Sequence, residues 1–321
     1  MLSPMPAWQS LRGGAALILL SVLFACDTTV AGHEESLAAA FEPARAWTLL
    51  ERMVALGPRP AGTAKGKEQR ELIAAELASY GLTPVRQAFE AKTPIGVLAM
   101  ENIYADVEGR PRNGAPPPIV VLCSHFDTKR MDFAFLGAND GGSSTAVLLE
   151  LARVLSKERA EVTWRLLFLD GEEAIRPQWV DPDNCYGSRH HVAELRRTGE
   201  DERVAACILL DLVGDQDLSL MTDLNSNREL MGLVFGAARA NGYAATVDGA
   251  SEAISDDHLP FLAAGIPSLD LIDLDYGPHN KYWHSPEDTL EHCSVASLEA
   301  TGRIVLHALP SVEAWVLARA R

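Results

Sequence analysis

Carboxylates and histidines recur in short clusters along this chain: His125-Phe126-Asp127, Asp140 within Gly137-Ala138-Asn139-Asp140-Gly141-Gly142, Asp170-Gly171-Glu172-Glu173, Asp211, Ser255-Asp256-Asp257-His258 and Trp283-His284. Brought to one crevice, with no Lys or Arg expected to oppose them, such groups would repel one another. A divalent cation removes the conflict, and zinc accepts both imidazole and carboxylate ligands. A catalytic zinc keeps three protein ligands and one open position. Asp140, Glu173 and His284 supply that set, and two carboxylates neutralise the ion. Glu172 cannot easily share its neighbour's coordination, because adjacent side chains diverge, so it is left beside the metal as a proton carrier.

Taken singly, each residue has a plainer reading. An Asp at a strand end is ordinarily a helix cap or turn former. Glu172-Glu173 could be a solvated loop, His284 a surface histidine, His258 a helix start, and Trp179 or Trp283 packing aromatics. Arg189, His190 and His191 open a helix and are assigned to structure. The plain readings fail jointly, because separate segments offer compatible ligands at one place.

That place follows from the elements. Continuous apolar runs at Ile119–Cys123, Trp164–Leu169, Ala205–Leu210 and Ser268–Ile272 fit buried parallel strands. Helical patterns fall at Leu37–Leu56, Lys65–Ser79, Ser143–Lys157, Ser188–Arg197, Arg228–Asn241, His258–Ala264 and Val295–Ala320. Val85–Ala91 and Val97–Val107 predict a hairpin added near one edge, and Pro111–Pro118 a loop before a strand. The alternation implies one α/β domain over residues 34–321, with a mostly parallel, twisted central sheet and helices on both faces. The polar clusters lie just past the ends of the apolar runs. In open α/β sheets that is where ligands bind.

The chain has 321 residues, with 28 Lys+Arg against 44 Asp+Glu, a net charge of −16 that disfavours a nucleic-acid partner. With 47% hydrophobic and 22% charged residues it is globular in composition. No Cys-x-x-Cys pair, P-loop or Gly-x-Gly-x-x-Gly run is present, which removes zinc ribbons, Walker ATPases and the commonest dinucleotide folds. Ala15–Phe24 is apolar but too short to span a bilayer, and reads as the core of a secretory leader over residues 1–25. Leu23-Phe24-Ala25-Cys26 resembles a bacterial lipobox, which would make Cys26 the lipidated first residue of the mature chain. Plain cleavage and an uncleaved anchor are the alternatives, since Phe24 is unusual there. The expectation is an exported protein of the periplasm or cell envelope, touching membrane only through such an N-terminal anchor. Of the remaining cysteines, Cys123 and Cys207 sit in apolar strand-like runs and are expected to be inert buried thiols. Pairing among Cys123, Cys185, Cys207 and Cys293 is left open.

In their order, these motifs resemble the zinc-dependent M28 aminopeptidase-like family, and within it most of all the glutaminyl cyclases of bacterial type. The narrower likeness rests on Ser124-His125-Phe126-Asp127-Thr128-Lys129, Leu167-Phe168-Leu169-Asp170-Gly171-Glu172-Glu173-Ala174 with Trp179 shortly after, Tyr186-Gly187-Ser188-Arg189-His190, Leu210-Asp211-Leu212-Val213-Gly214 and Asp256-Asp257-His258-Leu259-Pro260-Phe261. It runs from about Gly57 to Leu309. The resemblance implies a zinc-exopeptidase-like fold and one zinc per chain, held by Asp140, Glu173 and His284. It implies Glu172 as general base and acid, Asp211 and Asp256 as an acidic network with it, and Trp179 and Trp283 as pocket walls around a peptide's N-terminal Gln. The spacing from Glu173 to Trp179 is one residue longer than in the animal enzymes, and Asp270 stands where they carry His. The implied reaction is cyclisation of N-terminal glutaminyl residues to pyroglutamate with loss of ammonia.

Two other readings remain. In a two-zinc aminopeptidase, His125 and Asp211 hold a second ion, Asp140 bridges, and Glu172 activates a metal-bound water. A non-enzymatic ectodomain would have lost metal ligands, and none of the candidates is missing.

Overall fold

In the computed structural model, residue 1 and residues 37–319 apart from 113 are described. Residues 2–25 of the predicted leader and the lipobox cysteine Cys26 lie outside these residues. Among the described residues no helix is long and apolar enough to cross a membrane.

The core is a six-stranded sheet in the order β1-β2-β4-β3-β5-β8, built from β1 (Val85–Thr93), β2 (Gly96–Val107), β3 (Ile119–His125), β4 (Thr163–Leu169), β5 (Val204–Asp211) and β8 (Ser268–Ile272). The hairpin β1–β2 joins antiparallel at one edge, and β4, β3, β5 and β8 run parallel. Every residue of β3, β4 and β8 is buried, as a parallel sheet covered on both faces requires. Alternation along β3 divides the core in two. Val120 and Leu122 face one layer, with α1 (Pro43–Val54), α2 (Ala64–Ser79), α3 (Ser144–Leu155), α5 (Arg228–Ala240) and α7 (Val295–Arg319). Ile119, Val121 and Cys123 face the other, with Val192 and Leu195 of α4 (Tyr186–Thr198) and Phe261 of α6 (His258–Ala263).

The strands and helices expected from the sequence form with ends shifted by a few residues, except that Leu37–Leu56 is interrupted at residues 40–42 and α1 begins at Pro43, whose missing amide hydrogen suits a first turn and not a helix interior. Two shifts carry meaning. β3 runs on through Ser124 to His125, and β5 ends on Asp211, so backbone ladders fix both polar residues where apolar patterning had stopped. A two-stranded parallel pair, β6 (Thr222–Asp223) and β7 (Ser251–Glu252), was not foreseen, because two residues show no periodicity. It carries the segment that leads into Asp256. Cys123, Cys185, Cys207 and Cys293 are free and buried, and the Cys123 and Cys207 sulfurs lie 3.5 Å apart across β3 and β5.

His191, assigned to structure, is a buried core histidine. Its Nδ1 lies 3.1 Å from Gln87 Oε1, and its Nε2 has no hydrogen-bond partner. Burial, helped by the charge of Arg165, pulls it down to about 3. The unfolded chain therefore takes up a proton below about 6.5 that the fold refuses, and stability falls as pH drops toward 3. Above 6.5 the residue contributes nothing. Between pH 7 and 5 the loss should be about 2 kcal/mol. Denaturant melts at those two pH values should differ less, by that amount, in His191→Gln; an equal pH dependence would contradict the assignment.

Candidate metal centre and active site

The site lies at the carboxyl ends of β3, β4, β5 and β8. β3 delivers His125; the loop after it delivers Asp140. Ala138–Ser143 form a single wide turn before α3, in which Asp140 leaves helical geometry (φ −75°, ψ 108°) and Gly141 takes φ +73°. A Cβ on Gly141 would stand 2.8 Å from Asp127 O and 2.9 Å from His125 Cε1, so only glycine lets the turn pass this close. The turn is held from both sides. Asp288 Oδ1 accepts the amide of Asn139 (2.7 Å) and Oδ2 that of Asp140 (3.2 Å). Arg59, fully buried, donates to the carbonyls of Phe126 (3.1 Å), Leu136 (2.5 Å) and Gly137 (2.7 Å).

β4 ends at Leu169, and Glu172 and Glu173 follow. The amides of Gly171 and Glu172 both donate to Asp127 Oδ1 at 3.0 Å, so Asp127 sets the loop rather than touching the pocket. Leu212 (φ 50°) and His284 (φ 51°) adopt left-handed backbone that non-glycine residues rarely take, one after Asp211 and one at a predicted ligand.

Asp140, Glu173 and His284 each bring one donor atom to a common place, all within 4.8 Å of one another. His284 Nε2 is 3.1 Å from Glu173 Oε1 and 3.3 Å from Asp140 Oδ2. His125, Asp140 and Asp211 form a second such group, with His125 Nε2 3.1 Å from Asp211 Oδ1 and 3.3 Å from Asp140 Oδ1. Asp140 belongs to both, one oxygen to each. Its Oδ2 is buried without a hydrogen-bond partner, the condition of a ligand atom that a cation would satisfy. Nitrogen and carboxylate oxygen together fit a divalent metal such as zinc.

Glu172 stands apart from the first group. Burial drives its carboxyl well above the usual range; His125 opposes this, while Asp256 and Glu173 add to it. Burial, with Asp211 nearby, raises Asp256 to about 7. For Asp140 burial acts upward too, but bonds to His125 and His284 win and hold it low. Glu172 and Asp256 converge with Cys185, a residue that sequence reasoning left out.

A cavity of about 240 Å³ opens onto these groups, lined by Asp140, Glu172, Glu173, Asp211, Asp256 and His284 and walled by Trp179 and Trp283. Trp179 Nε1 donates to Ser255 Oγ (3.3 Å), and Leu212, Ile254, Ile272 and Leu274 complete an apolar side. All the predicted site residues therefore meet at one place. One expectation fails: a lysine does oppose the carboxylates. Lys129 is buried, its Nζ 3.1 Å from Glu173 Oε2. Nothing in the local pattern distinguishes it from a surface lysine. Asp270, buried with both oxygens unpartnered, lies 3.7 Å from His258 Nδ1, and His258 Nε2 meets Asp223 at 3.1 Å.

The sequence model of peptidase family M28 matches residues 102–309. The chain is 30% identical over 276 residues to a glutaminyl-peptide cyclotransferase of Drosophila melanogaster, covering 78% of this chain and 75% of that protein. Its fold is similar to the crystal structure of an Acidobacteriales bacterium glutaminyl cyclase, with a TM-score of 0.80, 34% identity, and coverage of 85% of this chain and 95% of that one. A Zn-dependent exopeptidase from Parabacteroides distasonis is also similar, with a TM-score of 0.72, 26% identity, and coverage of 83% and 97%.

Proposed function

This chain belongs to peptidase family M28, and on that footing we propose that it cyclises N-terminal glutaminyl residues of peptides and proteins to pyroglutamate, releasing ammonia. The observation that carries the reading is the likeness, at 30% and 34% identity over most of the chain, to a glutaminyl-peptide cyclotransferase and a bacterial glutaminyl cyclase. Glu172, a buried carboxyl beside Asp256 that opens on the same cavity as the Asp140–Glu173–His284 donors, supplies the proton carrier the reaction needs.

One zinc held by Asp140, Glu173 and His284 would supply Lewis acidity at the side-chain carbonyl of the substrate glutamine. Trp179 and Trp283 enclose that side chain and keep water from it. The peptide's own α-amine is thereby presented to the carbonyl carbon, an intramolecular attack favoured by proximity. Glu172 takes the proton the amine loses as the new C–N bond forms. It returns that proton to the side-chain nitrogen, which leaves as ammonia; no water is consumed. A carboxyl whose proton affinity is raised by burial suits both halves of this transfer. Asp256, linked to Asp211 through the acidic network, steadies the leaving nitrogen. The leader reading of residues 1–25, with Cys26 the lipidated first residue, would put residues 34–321 in the periplasm or cell envelope.

His125, Asp140 and Asp211 favour one competing reading, a two-zinc aminopeptidase. Incubation with a Gln-initiated dipeptide separates the two. Ammonia and a product lighter by one NH₃, from protein carrying one zinc per chain, are expected. Free amino acids, from protein carrying two, would overturn the proposal.

A further inference from the structure

Lys129 leaves β3 four residues after His125 and turns inward, its side chain only 4% exposed. Its Nζ meets three groups: Glu173 Oε2 at 3.1 Å, the carbonyl of Ala174 at 3.1 Å, and the Trp179 ring at 5.9 Å from the centroid. An ammonium is costly to bury, and here a carboxylate, a carbonyl and an aromatic face together offset the lost hydration. Glu173 is thereby divided. Oε1 faces His284 Nε2 at 3.1 Å, with the Asp140 carboxylate in the same cluster, and Oε2 faces the lysine.

The division matters because a carboxylate can ligate a metal through one oxygen or both. A second oxygen from Glu173 would fill the position that a substrate carbonyl needs. A charge-assisted hydrogen bond to Oε2 holds that oxygen away. The same nitrogen braces Trp179, so one side chain links the ligand to the wall of the cavity. We propose that Lys129 is a positioning residue that restricts Glu173 to a single ligating oxygen and fixes Trp179 against the substrate. This inference rests on the metal set of the proposed function.

The test compares Lys129→Met, which keeps the stem and removes the charge, with wild type, each loaded with zinc or with cobalt. The variant should retain metal as well as wild type during dialysis against a weak chelator. Its cobalt form should absorb more weakly in the visible, because coordination expands from four toward five. Turnover should fall roughly 10–100-fold, the scale for residues that orient ligands, with KM raised as Trp179 loosens. An unchanged cobalt spectrum with unchanged kcat and KM would overturn the role. So would metal lost in step with activity, which would make Lys129 a mere support of the fold. Should the methionine variant not fold, the same readouts on Lys129→Gln, which also lacks the charge, decide the matter. Failure of the wild-type chain to hold metal would instead break the Asp140–Glu173–His284 assignment and leave no role to test.

Discussion

Glu172→Gln is expected to slow ammonia release from a Gln-initiated peptide by roughly 10²–10⁴-fold, the range for removing a general acid–base group, while metal content and melting temperature stay at wild-type values. The carboxamide has nearly the shape of the carboxyl but cannot take a proton from the amine and hand it on. Little else should change, because Glu172 is placed by its backbone: its amide donates to Asp127 Oδ1 (3.0 Å), and its carbonyl accepts from the Cys185 amide (2.7 Å). The neutral amide also removes one member of a crowded acidic group that includes Asp256 and Glu173. The repulsion relieved there offsets the attraction to His125 that is lost, so stability should stay close to wild type. Ammonia assay, metal analysis and thermal melting on the same preparation check all three parts. A rate near wild type would remove Glu172 from the chemistry, and loss of metal would move it among the ligands. Because an aminopeptidase would also need this residue, the substitution tests the role of Glu172 and not the reaction; the dipeptide products decide that.

What the sequence exposed and what it hid follow from the range of the forces involved. The parallel strands were legible because burial on both faces demands predominantly apolar runs, and β8 was read to its final residue, Ile272, despite the buried Asp270 within it. That Asp140, Glu173 and His284 come together was legible because the loops that carry them all leave the same edge of the sheet. Their partners were not. Lys129, Arg59 and Asp288 are charged residues in loops, the ordinary composition of exposed chain, yet all three are buried. Their burial depends on contacts distant in sequence: Lys129 with Glu173, Arg59 with the 126–137 segment, Asp288 with Asn139. No local period records such pairings. The left-handed backbone at Leu212 and His284 was equally hidden, since both positions hold residues that normally avoid it.

Arg59→Met should be among the most destabilising substitutions in the chain, costing about 3–5 kcal/mol, the range for stripping one partner from a buried charged network. One guanidinium serves the carbonyls of Phe126, Leu136 and Gly137, and its own amide donates to Thr128 Oγ1 at 2.9 Å. Burial draws Arg59 down to about 10, against the pull of Asp288, Asp140 and Asp127, so it stays charged at neutral pH. Methionine fills the space but leaves three carbonyls without a donor and those carboxylates without their counter-charge. Lysine does not repair it, because a single ammonium lacks the planar fork that reaches separated acceptors. Both variants should melt roughly 5–10 °C below wild type in thermal scans. A ligand that binds only the folded chain should recover part of the loss by mass action. Zinc is the natural choice, because the turn that Arg59 grips carries Asp140. A variant melting within a degree or two of wild type would mean that the turn holds itself and that Asp288 alone presents Asp140 to the site.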